Sequence, residues 1–323
     1  MPQNETLIWI IFTAAVIGLL ILDLGLFHRQ ARPVHMKEAV AWSIVWITMS
    51  LAFNAGVFVT AGPTAGMEFL AGYLLEKALS VDNIFVFLLI FSYFGVPAEF
   101  QHKILFWGVL GALVMRSIFI LVGTALIGKF AWILYLFGGV LVVSGWKMIY
   151  KSVVEVHPDR NIVIRLARRF FPVASDVGEM HFVVRREGRL MIAPLLLVLI
   201  TVETTDVVFA LDSIPAVFGV TRDPFIVYSS NVCAILGLRA LYFVLAGAMN
   251  SFQYLGKGLA VVLMFIGGKM LAEPFVHIPI STSLLVVGSI LAVALAASVI
   301  FPSSAGTQRD ATSDAGGKTR DNW

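Results

Sequence analysis

Glu76-Lys-Ala-Leu-Ser-Val-Asp82-Asn-Ile-Phe85 lies inside an apolar stretch, and its spacing returns 130 residues later in Asp206-Val-Val-Phe-Ala-Leu-Asp212-Ser-Ile-Pro-Ala216. Each copy reads acid, five residues, acid, one small polar residue, isoleucine. Shared Leu, Val and Phe arise by chance in any two membrane helices, but matched acids inside apolar text do not, because each is costly there. The likeness extends downstream. Leu110-Gly111 precedes Arg116 as Leu236-Gly237 precedes Arg239, and Gly145-Trp-Lys147-Met148 answers Gly267-Gly-Lys269-Met270.

The surrounding sequence is that of a membrane protein. Of 323 residues 59% are hydrophobic and 13% charged, with a mean hydropathy of +0.90. A soluble domain carries about 25% charged residues, so a water-soluble globule is excluded. Nine segments are long and apolar enough to be read as spans: 7–27, 39–60, 67–91, 103–123, 130–150, 191–214, 225–247, 256–273 and 280–300. The first lacks a basic leader and is too long for a signal-peptide core, which predicts a retained anchor. The single cysteine, Cys233, excludes an internal disulfide framework and any multi-thiolate zinc site. The expected fold is therefore all-α and polytopic. Its units are two N-terminal helices (1–60), a first three-helix repeat (67–150), a cytoplasmic loop (151–190), a second repeat (191–273), a last helix (280–300) and a disordered cytoplasmic tail (301–323).

Lys and Arg orient the chain, since cytoplasmic loops carry the excess. Alternate loops and the tail hold sixteen basic residues, eight of them in 151–190, and the opposite set holds only Lys129 and Arg222. This predicts an outside N-terminus and a cytoplasmic C-terminus. The net charge of +3 thus reports topology and implies no nucleic-acid partner. In the loop, Arg165, Arg168 and Arg169 suit an amphipathic segment near anionic headgroups, and Phe182–Leu190 suits a short hairpin turning at Gly188. Because each repeat has an odd number of spans, the second copy enters with inverted polarity. Inverted repeats are the architecture of secondary transporters, whose sites lie near the midplane between the halves.

Glu76, Lys77, Asp82, Arg116, Lys147, Glu203, Asp206, Arg239 and Lys269 all fall within spans. An ionised group at mid-bilayer costs about 2.5–3.5 kcal/mol on insertion scales, so left alone the set would cost more than about 20 kcal/mol. On a helix Glu76, Ser80 and Asn83 share a face, whereas Asp82 lies about 240° round from Glu76. Either each acidic helix is enclosed by protein on two faces, or it is locally broken, for which Pro215 supplies a cause near Asp212. Glu76, Asp82, Asn83, Glu203, Asp206, Asp212 and Ser213 form a hard-oxygen set suited to Mn²⁺, Ca²⁺ or Mg²⁺, and crowded carboxylates favour proton uptake when a metal leaves. Arg116 and Arg239 are read as counter-ions, since a guanidinium cannot ligate a cation, with Lys77 in the same charge-balancing group. Lys147 and Lys269 either balance charge or snorkel. The bland alternative makes the whole set buried glue between helices.

The two acidic motifs, with Gly237-Leu-Arg-Ala-Leu-Tyr242, resemble the TerC family of integral membrane proteins over about residues 7–300. The long loop ahead of Ala193-Pro-Leu-Leu is similar to one bacterial branch of it. The resemblance implies a nine-helix bacterial inner-membrane protein of the wider lysine-exporter-like superfamily, associated with manganese export and with metal or tellurite resistance. Some relatives are described instead as redox modulators or as helpers of membrane-protein insertion. The family's acidic residues fall on Glu76, Asp82, Asp206 and Asp212, with Asn83 beside them. No nucleotide-binding motif is visible, so the expected function is ion-coupled export of a divalent cation, Mn²⁺ first and Ca²⁺ second, probed against a non-transporting factor and a cationic amino-acid exporter. No enzymatic chemistry or organic cofactor is expected.

The orientation is testable with reporters. Fused after residue 301, green fluorescent protein should fluoresce and alkaline phosphatase should be inactive; the reverse pattern would overturn the assignment.

Overall fold

The computed structural model describes residues 2–27, 35–150, 182–186, 189–247 and 254–300. Among the described residues the apolar stretches form ten helices: α1 (Pro2–Phe27), α2 (Met36–Ala61), α3 (Pro63–Tyr93), α4 (Ala98–Lys129), α5 (Ile133–Tyr150), α6 (Pro194–Phe218), α7 (Pro224–Ile235), α8 (Leu238–Ala246), α9 (Leu255–Ala272) and α10 (Ile280–Ile300). Proline sets several starts. Pro63, Pro194 and Pro224 each stand in the first turn, where a missing N–H costs nothing. Asp223 caps α7, accepting from the N–H groups of Phe225 and Ile226 at 2.8 and 3.1 Å.

Before α6 lies an antiparallel hairpin of β1 (Val183–Arg186) and β2 (Arg189–Ile192), with Val183 opposite Ile192. It corresponds to the expected hairpin, and Gly188, the expected turn residue, lies outside the described residues. So do the rest of the 151–190 loop and the 301–323 tail.

Six helices, α2, α4, α5, α6, α9 and α10, are long and apolar enough to cross a membrane, and α7 with α8 makes a seventh if the bent pair is one span. The nine-span expectation is met in helix positions but not by length and composition alone. In α1 the apolar stretch Thr6–Ile21 is shorter. In α3 the charges Glu68, Glu76, Lys77 and Asp82 lower the apolarity of a 31-residue helix, about 46 Å long at 1.5 Å per residue. Packing explains why α3 tolerates them. It is wrapped by α2, α6, α7, α8, α9 and α10, so its polar side chains meet protein.

Both acidic helices are continuous, with α6 running through Pro215 to Phe218. The first of the two sequence alternatives therefore holds for α3 and α6. The break falls in the next span, where Leu236-Gly237 separates α7 from α8 at a bend of 42°. Gly237 has φ 82°, the left-handed region, and a Cβ there would stand 2.6 Å from Trp46.

Elsewhere α5 and α9 form the most extensive helix pair. Gly138 and Gly267 face each other so closely that a Cβ on Gly267 would lie 2.6 Å from the Gly138 carbonyl oxygen, and one on Gly145 equally near that of Ala260. Small residues let membrane helices approach in this way. Gly267→Ala should cost about 1–3 kcal/mol by overpacking, read as a lower thermal unfolding midpoint in detergent. Gly139→Ala, with open space around it, should leave the midpoint unchanged or raise it.

Candidate functional site

Four helices bring one polar side chain each to a common point. Glu76 comes from α3, Arg116 from α4, Asp206 from α6 and Asn231 from α7, and none is more than 4% exposed. Arg116 Nη1 forms an ion pair with Glu76 Oε1 and donates to Asn231 Oδ1 at 3.3 Å. Its Nη2 donates to Asp206 Oδ1 at 3.4 Å. Asn231 Nδ2 donates to Glu76 Oε2 at 3.0 Å. The first acids of the two sequence repeats therefore share one guanidinium, with the amide of Asn231 closing the ring. Asp206 Oδ2 is buried and has no hydrogen-bond partner among the described residues, nor do the nearby motif hydroxyls Ser80 Oγ and Ser213 Oγ. Glu203, one turn before Asp206, lies against Gly111 of α4 and within electrostatic range of Asp206.

The second acids sit apart from this cluster, against the α5–α9 pair. Asp212 accepts from Ser144 Oγ of α5 at 2.7 Å, and the Lys147 charge one turn on is within reach. Asp82 lies beside the first turn of α9, where a Cβ on Gly256 would come 3.8 Å from its Oδ1. The two motifs thus cross over: the acid of the first repeat faces a helix of the second, and the reverse. Asn83 and Ser213 are buried on the same helices. Among the described residues no three Asp, Glu, His or Cys side chains converge as a metal-holding group. The expected hard-oxygen set is therefore spread over two levels, in keeping with the 240° between the acids of each helix.

The remaining cations go to other places. Lys77 Nζ donates to the backbone carbonyl of Ala234 at 2.9 Å. Arg239 is buried and lines a cavity of about 20 Å³ with Trp42, Trp46 and His102, none of which belongs to the Arg116 cluster. Lys269 lines a larger cavity of about 460 Å³ with Glu68, Thr221, Arg222 and Glu273. Thr221 Oγ1 donates to Glu68 at 2.6 Å, and Arg222 binds both Glu273 oxygens at 2.6 Å. Lys147 is exposed.

Asn231 is the member of the cluster that sequence reasoning missed. The signal was present: Ser229-Ser230-Asn231 is a polar triplet inside a span, and all three are at most 1% exposed.

A family model described as the integral membrane protein TerC family matches residues 61–310. A membrane protein of Myxococcus xanthus named as uncharacterized is 48% identical over 91% of this chain and 92% of its own length. Alx of Escherichia coli (strain K12), named as a candidate membrane-bound redox modulator, is 49% identical over 88% of this chain and 92% of its own. A membrane protein of Rickettsia felis, also named as uncharacterized, is 38% identical over 90% of this chain and 97% of its own. No solved structure matches the chain.

Removing one partner of a buried ion pair costs about 3–5 kcal/mol. Arg116→Met should therefore lower the thermal midpoint sharply, and adding Glu76→Gln should recover part of the loss. Strict additivity of the two changes in a double-mutant cycle would contradict the pairing.

Proposed function

This chain belongs to the TerC family of integral membrane proteins, and on that premise we propose that it exports divalent cations, Mn²⁺ foremost, in exchange for protons. The observation that carries the reading is the sharing of one guanidinium, Arg116, by carboxylates of the two repeats, Glu76 and Asp206. With both carboxylates ionised, one negative charge would be left over in a water-poor place. Low dielectric makes that charge costly, and either a proton or a cation can meet it. Alternation between the two is antiport. Glu76, Asp206 and the carbonyl oxygen of Asn231 supply the hard oxygens that Mn²⁺ accepts, and Arg116 holds the carboxylates in place when the cation has gone. Asp82 and Asp212 form a second level along the same helices, with Asn83, Ser213 and Glu203 adding further oxygen atoms. The inverted repeat supports passage between the halves. Ca²⁺ fits the same oxygens and is the second choice of cargo.

The name of the Escherichia coli relative supports a second reading, modulation of redox state. Thiol–disulfide exchange within one chain needs two thiols, and this chain has only Cys233, which is 7% exposed in α7. A redox effect would therefore be indirect, through the metal that the chain moves. A role in membrane-protein insertion rests on the 151–190 loop, which lies mostly outside the described residues. A cationic amino acid as cargo would require an anion-facing group beside the acids.

Purified chain in inside-out proteoliposomes with an acid lumen should take up Mn²⁺, and a protonophore should abolish the uptake. Asp206→Asn and Glu76→Gln should each reduce it at least tenfold, whereas Asp223→Asn at the α7 cap should not. Uptake that is absent from the unmodified chain, or unchanged in both acidic variants, would sink the proposal.

A further inference from the structure

Lys77 follows Glu76 directly, yet its hydrogen bond goes to a backbone carbonyl. Adjacent residues on a helix point about 100° apart, so Glu76 faces Arg116 while Lys77 faces the end of α7. At that end the helical ladder stops. Leu236 N–H still reaches the carbonyl of Val232, and the ladder resumes only with Leu241 N–H on the carbonyl of Gly237. The next two carbonyls of α7 take partners from other helices. Ala234 O accepts from Lys77 Nζ at 2.9 Å, and Cys233 O stands 3.3 Å from Ser50 Oγ of α2, whose one hydrogen it shares with the nearer Trp46 O at 2.9 Å. The ammonium also stands 5.9 Å from the centroid of the Tyr73 ring, within range of a cation–π contact. Carbonyl oxygens at the negative end of a helix, an added hydroxyl and an aromatic face are the features of a site for a small monovalent cation.

We propose that Lys77 is a tethered occupant of such a site, and that shortening its side chain opens the broken end of α7 to a free alkylammonium ion. The tether makes the bend independent of dissolved cations. It also fixes the half-helix that carries Asn231, three residues before Ala234, so Lys77 acts as a positioning residue for the Arg116 cluster.

The test is a stability measurement on purified full-length chain, so it stands or falls independently of transport. Lys77→Ala should lower the thermal midpoint by about 4 °C or more. Propylammonium chloride should restore at least half of that shift, saturably, whereas choline chloride and neutral 1-propanol should not, and the unmodified chain should respond to none of them. A Lys77→Ala variant as stable as the parent, or one stabilised equally by all three additives, would overturn the proposal. If Lys77→Ala yields no folded protein, Lys77→Gln decides. It keeps a donor for Ala234 O without the charge, and should lie below the parent with no gain from propylammonium; a Gln variant matching the parent would count against the tethered cation.

Discussion

A guanidinium held between two carboxylates at 3% exposure sets the terms for the helices around it. Removing each ion from water costs several kcal/mol, and mutual attraction offsets this only where the pairing geometry is close and the remaining polar atoms find partners. Here the partners come from α3, α4, α6 and α7, so those four helices must meet at one point. The others must then keep lipid away from it. This is why α3, with three charged residues between Glu76 and Asp82, is wrapped by six neighbours, while α2, α4 and α5 expose many large apolar side chains. An arrangement that let α3 face lipid would leave its ions uncompensated in hydrocarbon.

The broken span is a second consequence of bringing polar groups inside. A bend in a membrane helix frees carbonyls that must be satisfied by protein, because lipid offers no donors. Lys77 provides one such donor, and Ser50 shares its hydrogen between the carbonyls of Trp46 and Cys233. The tight α5–α9 contact serves a different purpose. Glycine at the crossing lets the backbones touch, and the same two helices present Ser144 and the first turn of α9 to Asp212 and Asp82. The acids of each motif are six residues apart, about 9 Å along the helix axis, so the two polar levels are held by different sets of neighbours.

What was legible in the sequence was the part whose energetic cost is visible without a structure. Acids and arginine in apolar text announce that they need partners, and the meeting of Glu76, Asp206 and Arg116 follows from that need. Asn231 is neutral and gave a weaker signal. The break was hidden by ambiguity: Leu110-Gly111 and Leu236-Gly237 are the same text, yet the first stays helical with Glu203 lying across the glycine, and the second turns to φ 82° against Trp46. Which outcome occurs depends on the neighbouring helix, which local sequence does not contain. The sequence groups Lys77 with the counter-ions because position along the chain cannot distinguish a carboxylate partner from a carbonyl freed by a bend four spans later. The hard-oxygen set lies at two levels for a reason readable in the sequence, since six residues turn a helix through 240°.

The two arginines take different places for reasons that begin in the sequence. Arg116 stands five residues after its Leu-Gly pair and Arg239 two residues after its own, a difference of three residues, or about 300° round a helix. The backbone adds to this. Gly237 turns left-handed and starts a new helix, α8, and Arg239 at its beginning lines a separate cavity with His102 and Trp42, whereas Arg116 lies within the unbroken α4 and reaches Glu76 and Asp206. The two halves therefore share their acids at one point but not their arginines, and the proposed exchange of a cation for a proton rests on that asymmetry.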